Sequence, residues 1–184
     1  MALTTLDRQS ALIVIDLQKG VLALPPAEAA ARVLQQTGKL LAAFRQRQLP
    51  VVLVRVEGGA PGRAEQQRSL QGLPADWSEL APELQAQASD HRISKRRWGA
   101  FTDTGLDALL RQLGVTQVVL AGISTSIGVE STARFAHELG YNVTLAVDAM
   151  TDVVPEAHTH SVTRIFPRLG ETASSDEIIA MLAR

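Results

Sequence analysis

Apolar residues along this chain come in two kinds of spacing, and the two alternate. Ala11–Ile15, Val51–Val56 and Val118–Ala121 are almost continuously apolar and rich in β-branched residues. Uninterrupted runs of this kind fit strands buried on both faces of a parallel sheet. Tyr141–Val147, ending at Asp148, reads the same way, and Arg92–Ser94 and Glu171–Ala173 are long enough for short strands. Between these runs the spacing turns helical. Ala27, Ala30, Ala31, Leu34, Leu41 and Phe44 hold one face from Pro25-Pro26 to about Arg47, where Leu49-Pro50 closes the helix. Leu106, Leu109, Leu110 and Leu113 form a second face. It opens at Thr104-Gly-Leu-Asp107, spaced like a capping box, and stops at Gly114. Val129, Thr132, Ala133 and Ala136 form a third, ending near Leu139 and Gly140, with Glu130 and Arg134 paired i, i+4 on its polar side. Pro155–Arg168 and Ser174–Leu182 are further helices. Strand–helix alternation predicts an α/β chain, a mostly parallel sheet with helices on both faces. Gly58–Gln71 is a polar surface loop or short helix, and Pro74–Leu84, with Trp77, is irregular.

In such sheets ligands bind beyond the carboxyl ends of the strands. That draws attention to Ile123–Gly128, a turn of small residues between the third apolar run and its helix. Backbone N–H groups at the start of a helix are unpaired and can hold an anion or a developing oxyanion. Asp16, just past the first strand, faces the same crevice. It serves either as a functional carboxylate or as a loop cap, and the nearby Gln18 either as a ligand or as a structural amide. Lys95-Arg96-Arg97 runs straight into Trp98 and Phe101 in a chain only 4% aromatic. A lysine among aromatics lines an amphipathic small-molecule pocket, or the segment is a basic loop over core rings.

Composition narrows the classes. The 184 residues suit one domain spanning 1–184, and 46% hydrophobic with 20% charged residues is ordinary globular usage. A net charge of −1 leaves no footprint for nucleic acid or an anionic membrane. The chain has no cysteine, which removes disulfides, thiolate metal sites and thiol nucleophiles together. The first residues lack a signal-peptide pattern and no run approaches a membrane span, so a cytoplasmic protein is expected. No G-x-G-x-x-G or G-x-x-x-x-G-K supports a nucleotide cofactor. Gly122-Ile-Ser124-Thr125-Ser126 matches only part of a G-x-S-x-G elbow. His158 and His160, at i, i+2 on a helix, point apart and are expected to face solvent rather than hold a metal.

Three separated stretches, VIDLQ at Val14–Gln18, SKRRWGAF at Ser94–Phe101 and AGISTSIGVESTARFAHELGYNV at Ala121–Val143, resemble the isochorismatase-like hydrolases. The resemblance covers nearly the whole chain. It implies a three-layer α/β/α, Rossmann-like fold with a six-stranded, mostly parallel sheet, and a homodimer or higher homo-oligomer. It also implies a site in which Asp16 and Lys95 match the family's Asp and Lys. At the position of the family's cysteine this chain has Gly128. That places it with the subgroup carrying glycine there and sets it apart from the thiol-dependent amidases. The resemblance further puts a cis peptide between Ile123 and Ser124, with the N–H groups of Ser124 and Gly128 forming an oxyanion hole. No metal is expected, because Arg55–Gly62 lacks the histidine of the metal-binding nicotinamidases.

The expected activity is hydrolysis of a small anionic or carbonyl-bearing metabolite without a cysteine nucleophile. Asp16 is the acid–base group, Lys95 its partner, and Gly128 and Ser124 supply the oxyanion donors. Gln18, Trp98, Phe101 and Thr125 line the substrate. Amide or ester hydrolysis by activated water, or by Ser124 or Ser126, is the alternative enzyme, and a small-molecule binding protein that has lost turnover is the alternative outside catalysis. No cofactor and no macromolecular partner is implied.

Overall fold

The computed structural model of the chain describes residues 3–66 and 71–183. Residues 67–70 of the predicted 58–71 loop lie outside the described residues. In chain order the elements are β1 (Ser10–Ile15), α1 (Lys19–Leu22), α2 (Ala27–Gln46), β2 (Val51–Val56), β3 (His91–Lys95), α3 (Leu106–Gln112), β4 (Gln117–Ile123), α4 (Glu130–Glu138), β5 (Asn142–Thr151), α5 (Pro155–His160), α6 (Phe166–Leu169), β6 (Glu171–Ala173) and α7 (Ser175–Leu182). The six strands form one sheet in the order β3-β2-β1-β4-β5-β6, and every neighbouring pair is parallel.

The unbroken apolar runs are explained by two cores, one on each face. Leu12 and Val14 of β1 pack with Val33, Leu40, Leu41 and Phe44 of α2 and Ile178 of α7. Ala11, Ile13 and Ile15 point the other way, toward Leu106 and Leu110 of α3, Ala133 and Ala136 of α4, and Phe166. A strand that is buried on both sides has no polar face to alternate with. The helix face read at Val129, Thr132, Ala133 and Ala136 is the buried one.

Three local expectations are corrected. Thr104–Asp107 does not form a capping box: Gly105 is the cap at φ 73°, and the Asp107 carboxylate accepts instead from the Tyr141 hydroxyl at 2.7 Å and pairs with Arg111. Pro155–Arg168 is not one continuous α-helix. Pro167 has no N–H to donate and its ring crowds the preceding turn, so the helix widens to a π-turn at Ser161–Ile165 before α6 begins. β5 does not end at Asp148 but runs on to Thr151, because it bulges: two steps on β4, Leu120 to Gly122, face five on β5, Leu145 to Met150. The bulge leaves Asp148 free to accept from the backbone N–H and hydroxyl of Ser175, at the start of α7.

Candidate active site

The strand order places a switch point between β1 and β4. From β1 the chain works outward through β2 to β3, then returns to the other side of β1 and works outward through β5 to β6. In open α/β sheets ligands bind at such a point, outside the carboxyl ends of the strands, here β1 and β4. Asp16 stands there, directly after β1, with a left-handed backbone at φ 53° that aspartate tolerates better than most residues. Its N–H donates to Val54 O at 2.9 Å, and its own carbonyl accepts from Gln18 N–H at 2.9 Å.

Lys95 is the last residue of β3, two strands away from β1, so the sheet separates the two backbones by about 10 Å. Its four-carbon stem closes that gap. The Nζ lies 2.7 Å from Asp16 Oδ2 and donates to Arg97 O at 3.1 Å. Lys95 is only 2% exposed and Asp16 5%, so the pair is withdrawn from water. Burial pushes the Asp16 carboxyl up to about 6, against the opposing pull of the Lys95 ammonium. The second carboxylate oxygen, Oδ1, is buried and has no hydrogen-bond partner.

On the other side of Asp16 the chain leaves β4 through Ser124 into a π-helical turn, Thr125–Val129. The Ile123–Ser124 peptide is cis. A Cβ placed on Gly128 would stand 3.3 Å from Asp16 Oδ2 and 3.0 Å from Ile15 Cγ2. The structure therefore brings Asp16, Lys95 and Gly128 to one point.

The remaining residues singled out in the sequence stand elsewhere. Gln18 is fully buried, and its amide is spent on backbone: it accepts from Val56 N–H at 2.7 Å and donates to Val56 O at 3.0 Å. Thr125 is fully buried, with its hydroxyl 2.8 Å from His158 Nδ1. Phe101 stacks on Tyr141 with centroids 5.9 Å apart, whereas Trp98 is 63% exposed. Ser124 begins the turn half-buried, and Ser126 gives both its N–H and its hydroxyl to Asp152 Oδ2 at 2.8 Å. His158 does not face solvent as expected. It turns inward to Thr125, and only His160 is exposed. Sequence reasoning missed Asp152, which is 6% exposed and sits just after β5. Its one signal was an acidic residue at a strand end, the same signal that marked Asp16. Among the described residues no group of three or more histidine and acidic side chains is placed to hold a metal, and no helix is long and apolar enough to cross a membrane.

Residues 10–177 match the isochorismatase domain model. An isochorismatase family protein of Escherichia coli O157:H7 is 41% identical over 182 residues, covering 95% of this chain and 97% of that one. Streptothricin hydrolase of Streptomyces noursei is 36% identical over 177 residues, with 91% of this chain and 60% of that one covered. An isochorismatase family protein of Burkholderia thailandensis has a solved structure that superposes with a TM-score of 0.93 at 40% identity, covering 98% of both chains.

Proposed function

As the chain belongs to the isochorismatase family of hydrolases, we propose that it hydrolyses a small metabolite without a cysteine nucleophile, with Asp16 as the acid–base group. One observation carries this reading. Asp16 Oδ2, the oxygen that faces Gly128, is clamped by Lys95, while Oδ1 is buried and has no partner of its own. A buried lone oxygen on a carboxyl held near pH 6 is suited to exchange a proton with a bound substrate.

In this reading protonated Asp16 gives its proton to the leaving oxygen or nitrogen of an ester or amide, or to the terminal carbon of an enol ether. Water adds to the carbon that carries the leaving group, and the proton lost by that water returns to Asp16. Lys95 steadies the carboxylate between the two transfers. The N–H groups of Ser124 and Gly128 receive negative charge that develops on a carbonyl oxygen. Gly128 brings no thiol to attack the substrate, so water is the nucleophile. In a second reading ionised Asp16 takes a proton from water for attack on an amide or ester. The sign of one pH limb separates them. Asp16 as acid makes kcat/KM fall about tenfold per pH unit above about pH 6. Asp16 as base makes it climb to a plateau there. A substrate panel of small anionic amides, esters and enol ethers, followed by a pH profile on whichever is cleaved, decides between them. A flat profile from pH 5 to 8 would remove Asp16 from both.

We also propose a cytoplasmic homo-oligomer. Trp98, Phe135 and Leu139 are 63%, 47% and 38% exposed. They adjoin, since the Phe135 ring packs over Gly99 next to Trp98, and Leu139 follows Phe135 by one helical turn. Exposed aromatics in one patch suit a subunit contact. Sedimentation velocity is expected to give a dimer or larger species, and to give monomer when Trp98 and Phe135 are both changed to Asp. A parent protein that sediments as a monomer would contradict the assignment.

A further inference from the structure

The turn that carries Gly128 is tied on successive residues to one neighbouring segment. Thr125 Oγ1 lies 2.8 Å from His158 Nδ1. Ser126 donates twice to Asp152 Oδ2, whose other oxygen accepts from Val154 N–H at 3.2 Å. Glu130, where the turn becomes α4, accepts from the Ser161 hydroxyl at 2.6 Å. Segment 152–161 thus grips residues 125–130 from end to end, and none of its gripping groups is hydrogen-bonded to Asp16 or Lys95. The Thr125 hydroxyl is fully buried, so it is closed to solvent as a nucleophile and its hydrogen bond holds position. Burial lowers the His158 pKa despite the Asp152 carboxylate nearby, and Arg32 adds to the lowering. A neutral imidazole protonated at Nε2 presents Nδ1 as the acceptor that the Thr125 hydroxyl needs.

We propose that His158, through Thr125, and Asp152, through Ser126, are positioning residues that fix the turn so that Gly128 stays beside the Asp16 carboxylate. The proposal rests on the site reading above, yet its test needs no substrate, so the two fail separately. The chain has no cysteine, so in a Gly128→Cys background alkylation by iodoacetamide reports that one position. A thiol there stands against Asp16 Oδ2 in its pair with Lys95, where the ammonium favours the thiolate, and a turn that drifts loses this.

Added His158→Ala or Thr125→Val is expected to slow alkylation at pH 7 about tenfold, as the thiolate fraction falls with a thiol pKa one unit higher. His158→Asn, whose Oδ1 can accept where Nδ1 did, is expected to restore most of the rate, and the exposed His160→Ala to leave it unchanged. The same changes made without the Gly128 substitution are read by the amide ¹⁵N–¹H shifts of Ser124 and Gly128. These are expected to move in His158→Ala and Thr125→Val and to return in His158→Asn. Parent alkylation rates and parent amide shifts in Thr125→Val, the nearly isosteric variant, would overturn the proposal. So would His158→Asn impaired as badly as His158→Ala, which would mark ring packing and not the hydrogen bond as what matters.

Discussion

Asp16→Asn is expected to reduce hydrolysis by about 10²–10⁴-fold, the range seen when a positioned acid or base is removed, while leaving the sheet intact. The amide keeps the shape of the carboxyl, and its oxygen can still accept from Lys95, but it can neither give nor take the proton. The fold is checked by circular dichroism and the rate on whichever substrate the panel supplies. Turnover at the parent rate would leave Asp16 as a structural residue and make Ser124 the better candidate, since the Ser126 hydroxyl is already given to Asp152.

The same variant reads the electrostatics. The folded carboxyl titrates near 6, above the ordinary 3.8. A raised carboxyl pKa means that its contribution to stability is fully present below pH 3.8 and is lost as pH rises through 6. The two values correspond to about 3 kcal/mol as an order of magnitude. Parent and Asp16→Asn stabilities, measured by urea unfolding at pH 4 and pH 7, should therefore shift against each other by most of this amount, about 2 kcal/mol, in favour of the variant at the higher pH. Lys95→Met adds a check on direction. Lys95 pulls the carboxyl down, so its removal should move the kinetic limb above pH 6.

Asp16, Lys95 and Gly128 were visible in the sequence for a physical reason. Asp16 follows a run so apolar that its strand is unmistakable, and the turn holding Gly128 follows another, whereas Lys95 ends the polar strand HRISK and is marked by the aromatics after it and by the family resemblance; the sheet gathers the three at its carboxyl edge. The residues that support them were less visible. His158 and His160 diverge on their helix, as i and i+2 must, but divergence only means that one of them can face inward. The partner that draws His158 in is 33 residues away in sequence. Gln18 looked like a ligand because it follows Asp16. Its amide has the same donor and acceptor as a peptide group and completes the backbone pairing of Val56. Asp148 looked like the end of a strand because a carboxylate in mid-sheet should be costly. The bulge in β5 lifts that cost by giving it the N–H of Ser175, and no periodicity reveals a bulge.

Gly122→Ala is expected to be among the costliest single-methyl changes in the described residues. Gly122 lies opposite Ile15 in the β1–β4 register, at φ 128°, a conformation side chains rarely adopt. A Cβ there would stand 2.0 Å from Ile15 O and 2.7 Å from Ile15 N. Neither atom can yield easily, because Ile15 is fully buried in a central strand paired on both sides. The overlap and the backbone strain together should cost about 4 kcal/mol or more, or leave the protein insoluble. Gly114→Ala separates the two contributions. Gly114 has φ 68° but nothing within 4 Å of a new Cβ, so it bears the strain alone, about 1–2 kcal/mol. Urea unfolding of both variants checks the difference, and equal losses would mean that β1 and β4 can part without penalty. They are not expected to be equal, because the atoms in the way belong to the residue before Asp16. Any separation of the strands that accommodates the methyl must also carry the carboxylate away from the turn, so whatever Gly122→Ala protein folds should show weakened hydrolysis as well.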